Sequence, residues 1–279
     1  MASGRTDPLT VLSGQQNAIL RLGALASNPP QSVVIEGGNA DERFAAAQWW
    51  AMRLNCTAPD KPCAGCAPCR QISDQAFSDL MVFDGREDLI KVEPIREARP
   101  IWGQPPHGDG YRVTILAEAQ RLMTESANAL LKSLEEPRPG NVFVLCTPQR
   151  ERLLETLVSR SFVVTLAWPE VAANDSDIDE WCAAMVSFWQ SGRGWFSRTS
   201  TKGKVDADLA FQILLGMQRH LRNAMSGAED DLGAKMAAKL GPAGLRRLDL
   251  ALGEAQDALN TQVPVNPSLV LDWLATRLR

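Results

Sequence analysis

Three apolar runs stand out in the first 165 residues: Ser32-Val33-Val34-Ile35, Arg112-Val113-Thr114-Ile115-Leu116 and Asn141-Val142-Phe143-Val144-Leu145-Cys146. Each is of strand length and rich in β-branched residues, as in strands buried on both faces. Leu80-Met81-Val82-Phe83 and Phe162-Val163-Val164 are shorter candidates. Between these runs the apolar residues recur at helical spacing. Phe44, Ala47, Ala51 and Leu54 share one face, and so do Ala127, Leu130, Leu131 and Leu134. The second of these helices opens at Thr124, with Glu125 in its first turn, and Pro137 stops it. Strands alternating with helices predict an α/β fold with a parallel sheet.

After about residue 165 the strand pattern ends. Trp168-Pro169-Glu170 reads as a linker, residues 179–190 as a short helix, and residues 191–203 as a loop rich in Gly, Ser and Thr. The remainder is helical throughout. Leu209, Ile213, Met217 and Leu221 form one stripe, and Leu245, Leu248, Leu252, Ala255 and Leu259 another. Asn266-Pro267 starts a last helix, with Asn as N-cap and Pro in the first turn. The predicted divisions are therefore 1–166, 167–204 and 205–279.

A length of 279 residues suits two or three compact domains, and 45% hydrophobic with 22% charged residues is ordinary for a globular protein. No apolar run reaches the length of a membrane span and no signal-peptide core precedes the first domain, so a cytoplasmic protein without membrane contact is expected. A net charge of −4 argues against whole-surface attraction to nucleic acid. Arg193, Arg198, Lys202 and Lys204 form a local basic segment that could meet a DNA backbone, although a charge cluster in a loop is more often simply solvated.

The six cysteines are unevenly placed. Cys146 and Cys182 stand alone, whereas Cys56, Cys63, Cys66 and Cys69 follow the spacing C-x6-C-x2-C-x2-C. Four thiolates complete a closed tetrahedral Zn²⁺ shell with no open position for catalysis, so the expected cofactor is structural zinc. The alternatives are buried free cysteines or a redox pair. Ala64 and Gly65 are small, which lets backbone amides turn toward the sulfurs.

The strand ending at Ile35 runs into Gly37-Gly38 and then a helix, where an ATPase places its phosphate loop. That loop needs G-x-x-x-x-G-K-[ST]: amides that wrap the phosphates, a Lys for their charge and a hydroxyl for Mg²⁺. Here Glu42 replaces the second glycine, Arg43 the Lys and Phe44 the hydroxyl residue. Asp41 and Glu42 would lie beside the triphosphate, and like charges about 4 Å apart repel by about 4 kcal/mol even at a surface-like dielectric. The two acids suit a helix N-terminus instead. After the strand at 112–116 an ATPase of this class would continue Asp-Glu-Ala-His; here the stretch is Ala117-Glu118-Ala119-Gln120, and a methyl group at Ala117 replaces the carboxylate expected to hold Mg²⁺. ATP is not expected to bind.

Ser126 to Pro137, with the sequence SANALLKSLEEP, closely resembles the signature of bacterial clamp loaders, in the position it takes in that family. Gly14-Gln15, residues 90–96 and the four-cysteine insertion are similar to further segments of the AAA+ clamp-loader family. The resemblance covers roughly residues 10–165. It implies an AAA+ domain over 1–166 with a degenerate P-loop (Gly37, Gly38, Arg43, Phe44), a degenerate Walker B site (Ala117, Glu118) and the zinc module at 56–69. It implies a shortened helical lid and linker over 167–204, and an all-α collar that mediates oligomerisation over 205–279. In that family a Ser-Arg-Cys motif carries an arginine finger, and Ser159-Arg160-Ser161 stands in the corresponding place. Arg160 would complete the ATP site of a neighbouring subunit by neutralising charge on the transferred phosphoryl. A surface arginine in an ion pair is the plain alternative.

The resemblance thus implies a stator-like, non-catalytic subunit of the DNA polymerase III clamp loader. Its partners would be the motor and clamp-opening subunits of a hetero-pentamer, with primed DNA met through the complex and no small-molecule substrate. The alternatives are an ATP-hydrolysing motor subunit and a zinc-dependent nucleic-acid-binding module. Other catalysis finds little support, because the two histidines, His107 and His220, fall in no metalloprotease motif and no nucleophile elbow is present.

Overall fold

A computed structural model describes residues 8–86, 88–135, 138–167, 176–201, 204–227, 229–259 and 265–278. The chain divides into two compact units, Met1–Trp168 and Pro169–Arg279.

The first unit opens with α1 (Pro8–Val11) and α2 (Gln16–Leu25), followed by β1 (Ser32–Gly37), α3 (Ala40–Asn55) and α4 (Ala67–Ser73). Then come β2 (Leu80–Asp84), α5 (Val92–Trp102), β3 (Arg112–Ala117), α6 (Thr124–Glu135), β4 (Asn141–Thr147), α7 (Glu155–Val158) and β5 (Phe162–Leu166). The strands form one parallel sheet in the order β2-β3-β4-β1-β5. Its central strands are buried along their whole length because successive side chains enter two different cores. Val33 and Ile35, Val113 and Ile115, and Val142, Val144 and Cys146 pack into the core that holds α3 and α4. Val34, Leu116, Phe143 and Leu145 pack into the core on the other face, with residues of α5, α6 and α7. A period-2 strand with both faces covered therefore reads as one continuous apolar run. On the second face Trp102 donates to Thr114 Oγ1 at 2.9 Å and meets the Phe143 ring edge-on at 5.1 Å.

The expected start of α6 at Thr124 is found, while Pro137, expected to stop it, lies outside the described residues. His107 has a structural partner. Its backbone and ring nitrogens both reach the buried Asp79 carboxylate, which also pairs with the buried Arg112 guanidinium at 3.0 Å.

The second unit is wholly helical among its described residues: α8 (Ser176–Ser191), α9 (Trp195–Thr199), α10 (Ala207–Ser226), α11 (Asp231–Leu259) and α12 (Pro267–Arg277). Gly241, at φ 63°, breaks α11 ahead of Pro242. The last helix begins as expected, with the Asn266 side chain accepting from the Ser268 amide and Pro267 in the first turn. Here the structure departs from the divisions expected at 167–204 and 205–279, because α8 and α9 share one core with α10, α11 and α12. The stretch expected to be a loop contains α9, whose Trp195 is fully buried and donates to Asp272 Oδ1 at 2.8 Å. Trp189 of α8 donates to the Ala275 carbonyl at 3.0 Å, tying the same two regions together. Large aromatic residues spaced through 181–196 thus override the local Gly and Ser content. The proposed linker Trp168-Pro169-Glu170 lies outside the described residues, as does Lys202 of the basic segment. Arg198 and Lys204 lie over the Trp181 ring, at 5.1 and 5.6 Å. No helix among the described residues is long and apolar enough to cross a membrane.

Candidate functional site

The end of α3 and the start of α4 bring the four spaced cysteines together. Cys56 caps the C-terminus of α3, Cys66 stands before the first residue of α4, and Cys69 lies within α4. Their four sulfurs lie within 4.8 Å of one another. Four sulfurs held at about 2.3 Å around a tetrahedral ion would sit about 3.8 Å apart, and Cys56 and Cys66 Sγ are 3.8 Å apart. The donor set therefore fits a tetrahedral metal ion.

Backbone amides do turn toward the sulfurs. The Cys63 amide donates to Cys56 Sγ at 3.4 Å and the Cys66 amide to Cys63 Sγ at 3.3 Å. The Cys66 and Gly65 amides lower the Cys63 thiol below its ordinary range. Burial pushes the Cys66 thiol up, but hydrogen bonds from the amides of Thr57 and Cys69 and from the thiols of Cys69 and Cys63 together outweigh it and hold the group at about 6. Burial raises the Cys69 thiol, as do its neighbours Cys66 and Cys56. Thiolate is the metal-binding form, so the amides prepare the loop for a cation. By contrast, burial pushes Cys146 and Cys182 up to about 12, and both are inert packing residues.

At the other end of α3, Gly37 and Gly38 take φ of 78° and 55°. A Cβ on Gly37 would stand 2.5 Å from the Leu166 carbonyl oxygen. Both glycines thus make a tight turn into α3. The turn presents carbonyls to its interior. Arg43 Nη1 donates to the carbonyls of Gly37 and Gly38, each at 2.8 Å, while Nη2 and Nε bond Glu118 Oε1 at 2.7 and 3.0 Å. The Arg43 side chain is 5% exposed and that of Glu118 9%. A phosphate loop needs amides converging on an anion; here carbonyls and a carboxylate converge on the chain's own cation. Ala117, at the end of β3, is buried and offers only a methyl group.

Neighbouring contacts close the same region. Asn39 and Glu42 form a reciprocal capping box at the start of α3, each bond 2.8 Å. Glu42 therefore serves the helix N-terminus as expected, while Asp41 pairs with Arg86 at 3.4 Å. Arg86 also pairs with Asp84 and lies 4.3 Å above the Phe44 ring. Gln15 accepts from the Ala167 amide at 2.7 Å and donates to the Ala167 carbonyl and to Glu42 Oε1, both at 2.9 Å. Arg86 and this role of Gln15 were not legible in the sequence, because the partners lie 45 and 152 residues away.

Arg160 lies just past α7, at the edge of the sheet where β1 begins, since Phe162 pairs with Val33. Its Nη1 donates to the Thr156 carbonyl at 3.0 Å and its Nη2 to Glu135 Oε1 at 3.1 Å. Both partners of this ion pair are exposed. The Ser159 hydroxyl donates to the Thr156 carbonyl at 3.2 Å. Ser161, in place of the motif's cysteine, bonds the Leu157 carbonyl at 2.8 Å and lies 2.7 Å from the Ser32 hydroxyl. That anchors the turn to β1. In this isolated chain Arg160 is thus an ion-paired surface arginine, remote from the Gly37-Gly38 turn.

A family model described as DNA polymerase III, delta subunit, matches residues 15–170. DNA polymerase III subunit delta′ of Haemophilus influenzae is 34% identical over 135 residues, covering 47% of this chain and 39% of its own length. DNA polymerase III subunit tau of Bacillus subtilis is 32% identical over 147 residues, covering 52% of this chain and 25% of its own. The chain therefore spans two fifths or less of the length of these relatives. A DNA polymerase III gamma subunit-related protein of Thermotoga maritima aligns over 94% of this chain and 100% of its own, at 16% identity and a TM-score of 0.42. That geometric likeness is too distant to bear on function.

Proposed function

The chain is a delta′-type member of the DNA polymerase III delta-subunit family, and we propose that it serves the clamp loader as a stator without ATPase activity of its own. The observation that carries this reading is the filled phosphate-loop position. Arg43 occupies it, neutralised by Glu118 and by the carbonyls of Gly37 and Gly38. To admit a triphosphate the chain would have to expel a buried, fully bonded guanidinium and expose the Glu118 carboxylate to the incoming anion. Arg43 stands in place of the Lys, Phe44 in place of the hydroxyl and Ala117 in place of the carboxylate that would hold the phosphates and Mg²⁺.

Arg160 is the residue assigned to act, with Ser159 beside it. A finger in cis is excluded by distance. Arg160 lies near the beginning of β1 and Gly37 at its end, and six residues of strand span roughly 16–20 Å. The guanidinium therefore serves a neighbouring subunit, whose bound ATP it completes by neutralising charge on the phosphoryl group in flight. The weak surface pair with Glu135 leaves it available for that exchange. The four cysteines would hold structural Zn²⁺, a closed site that clips the α3–α4 loop. The helical unit is assigned to assembly with the motor and clamp-opening subunits of a cytoplasmic hetero-pentamer, and primed DNA is met through that complex.

The test is clamp- and primed-DNA-stimulated ATP hydrolysis by the reconstituted loader with Arg160→Ala in this chain. The variant should assemble normally and lose roughly 10³- to 10⁵-fold of the rate at the adjoining site, the order of effect of an arginine finger. The isolated wild-type chain should bind no ATP in equilibrium dialysis. An unchanged rate in an assembled complex would remove the finger, and tight ATP binding by the isolated chain would restore the motor reading.

A further inference from the structure

We propose that Glu135 is a latch on Arg160, holding the finger back until the nucleotide of the neighbouring subunit displaces it. This rests on the assignment of Arg160 as a finger acting in trans. An arginine recognises a phosphoryl group with its planar fork, two parallel N–H bonds from the end of the guanidinium. In this chain both terminal nitrogens are already engaged by the chain itself. Nη1 donates to the Thr156 carbonyl one turn back, and Nη2 to Glu135 Oε1 at 3.1 Å. The side chain is therefore folded onto its own body, with one N–H of each terminal nitrogen already spent there.

The position of Glu135 makes the contact conditional. It is the last residue of α6, and 25 residues separate it from Arg160, so the pair joins α6 to the turn after α7. Both side chains are exposed, at 49% for Glu135 and 40% for Arg160, which keeps the pair weak and open to exchange. A triphosphate carries far more charge than one solvated carboxylate and can accept both N–H bonds of the fork, where Glu135 accepts only one, so it wins when correctly placed. When the neighbouring site is empty, or its phosphates are out of register, Glu135 retains the guanidinium. The latch thereby suppresses premature hydrolysis rather than aiding the chemistry.

The experiment uses the reconstituted loader with Glu135→Gln, Arg160→Ala and the double variant in this chain. ATP hydrolysis is followed across a titration of primed DNA with the clamp present. In parallel, the affinity of this chain for the neighbouring motor subunit is measured with and without a non-hydrolysable ATP analogue. Glu135→Gln should raise hydrolysis at low primed DNA, or lower the half-saturating DNA, by roughly 1.5- to 5-fold, the exchange value of an exposed ion pair. It should tighten the subunit contact only when the analogue is bound, and both gains should vanish in the double variant. A Glu135→Gln loader indistinguishable from wild type, in which Arg160→Ala still loses rate, overturns the latch and leaves the finger standing. Slowing by Glu135→Gln also overturns it, making Glu135 an orienting group. No effect of Arg160→Ala overturns the latch together with the finger.

Discussion

At the scale of single residues, the chemistry of the phosphate-loop position turns on Arg43. Lys and Arg are both cations, yet a Lys carries one compact charge, whereas Arg43 sends separate nitrogens to Glu118 and to the carbonyls of Gly37 and Gly38. That difference makes the Gly37-Gly38 turn the seat of a sealed internal ion pair. Removing one member leaves the other buried and uncompensated. Glu118→Ala should therefore destabilise the first unit by about 3–5 kcal/mol, measured by denaturant unfolding. Replacing both Arg43 and Glu118 with methionine should recover part of that loss, but not all, because the two glycine carbonyls would then lack their donor. Glu42, Arg43, Phe44 and Ala117 are each legible in the sequence as departures from the ATP-site motifs. The pairing of Arg43 with Glu118 was hidden, since Glu118 follows Arg43 by 75 residues and only the adjacency of β1, β4 and β3 brings them together.

At the scale of elements, α3 links the two chemical features of the first unit. Its N-terminus leaves the Gly37-Gly38 turn under a capping box, and its C-terminus hands Cys56 to the cysteine cluster. The helix is buried on nearly every side, which fixes both ends against the sheet. The loop from α3 to α4 has no comparable apolar anchor at Cys63, which is exposed. Metal ligation should supply its order. The purified chain should carry one equivalent of zinc, released by a thiol-reactive reagent and scored with a metal indicator dye. Chelation, or Cys63→Ser, should open the segment between Cys56 and Cys69 to protease and lower the midpoint of unfolding. A metal-free chain with the same protease pattern would argue against the zinc module. The cluster itself was legible in the sequence, because four ligands within 14 residues need no long-range contact to meet.

At the scale of the whole molecule, two hydrophobic cores belong to two compact units. Each should respond to its own perturbation. Trp195→Ala removes a fully buried indole and its bond to Asp272, and should destabilise the helical unit by about 3–5 kcal/mol. Calorimetry of that variant should show the loss with the zinc content unchanged. The expectation of a separate lid and collar failed here for a definite reason. Gly, Ser and Thr between residues 191 and 203 suggest a loop to any local reading. The segment nevertheless holds Trp195, and a large apolar residue finds its burial in contacts whose partners on α8 and α12 are distant in sequence.

By itself, the sequence determined the parallel α/β character of the first unit, the helical character of the second and the four cysteines that come within metal-binding distance of one another. It also displayed Arg43, Phe44 and Ala117 at places where the ATP-site motifs carry Lys, a hydroxyl and a carboxylate. All of these rest on local periodicity, on ligand spacing or on the identity of a residue at a known distance from a strand. Tertiary structure alone decided that Arg43 pairs with Glu118, that the helical region forms one unit, and that Arg160 rests on Glu135. Each of those depends on partners 25 or more residues apart. Such partners are chosen by the order in which strands assemble and helices share a core, and no window of sequence contains that order.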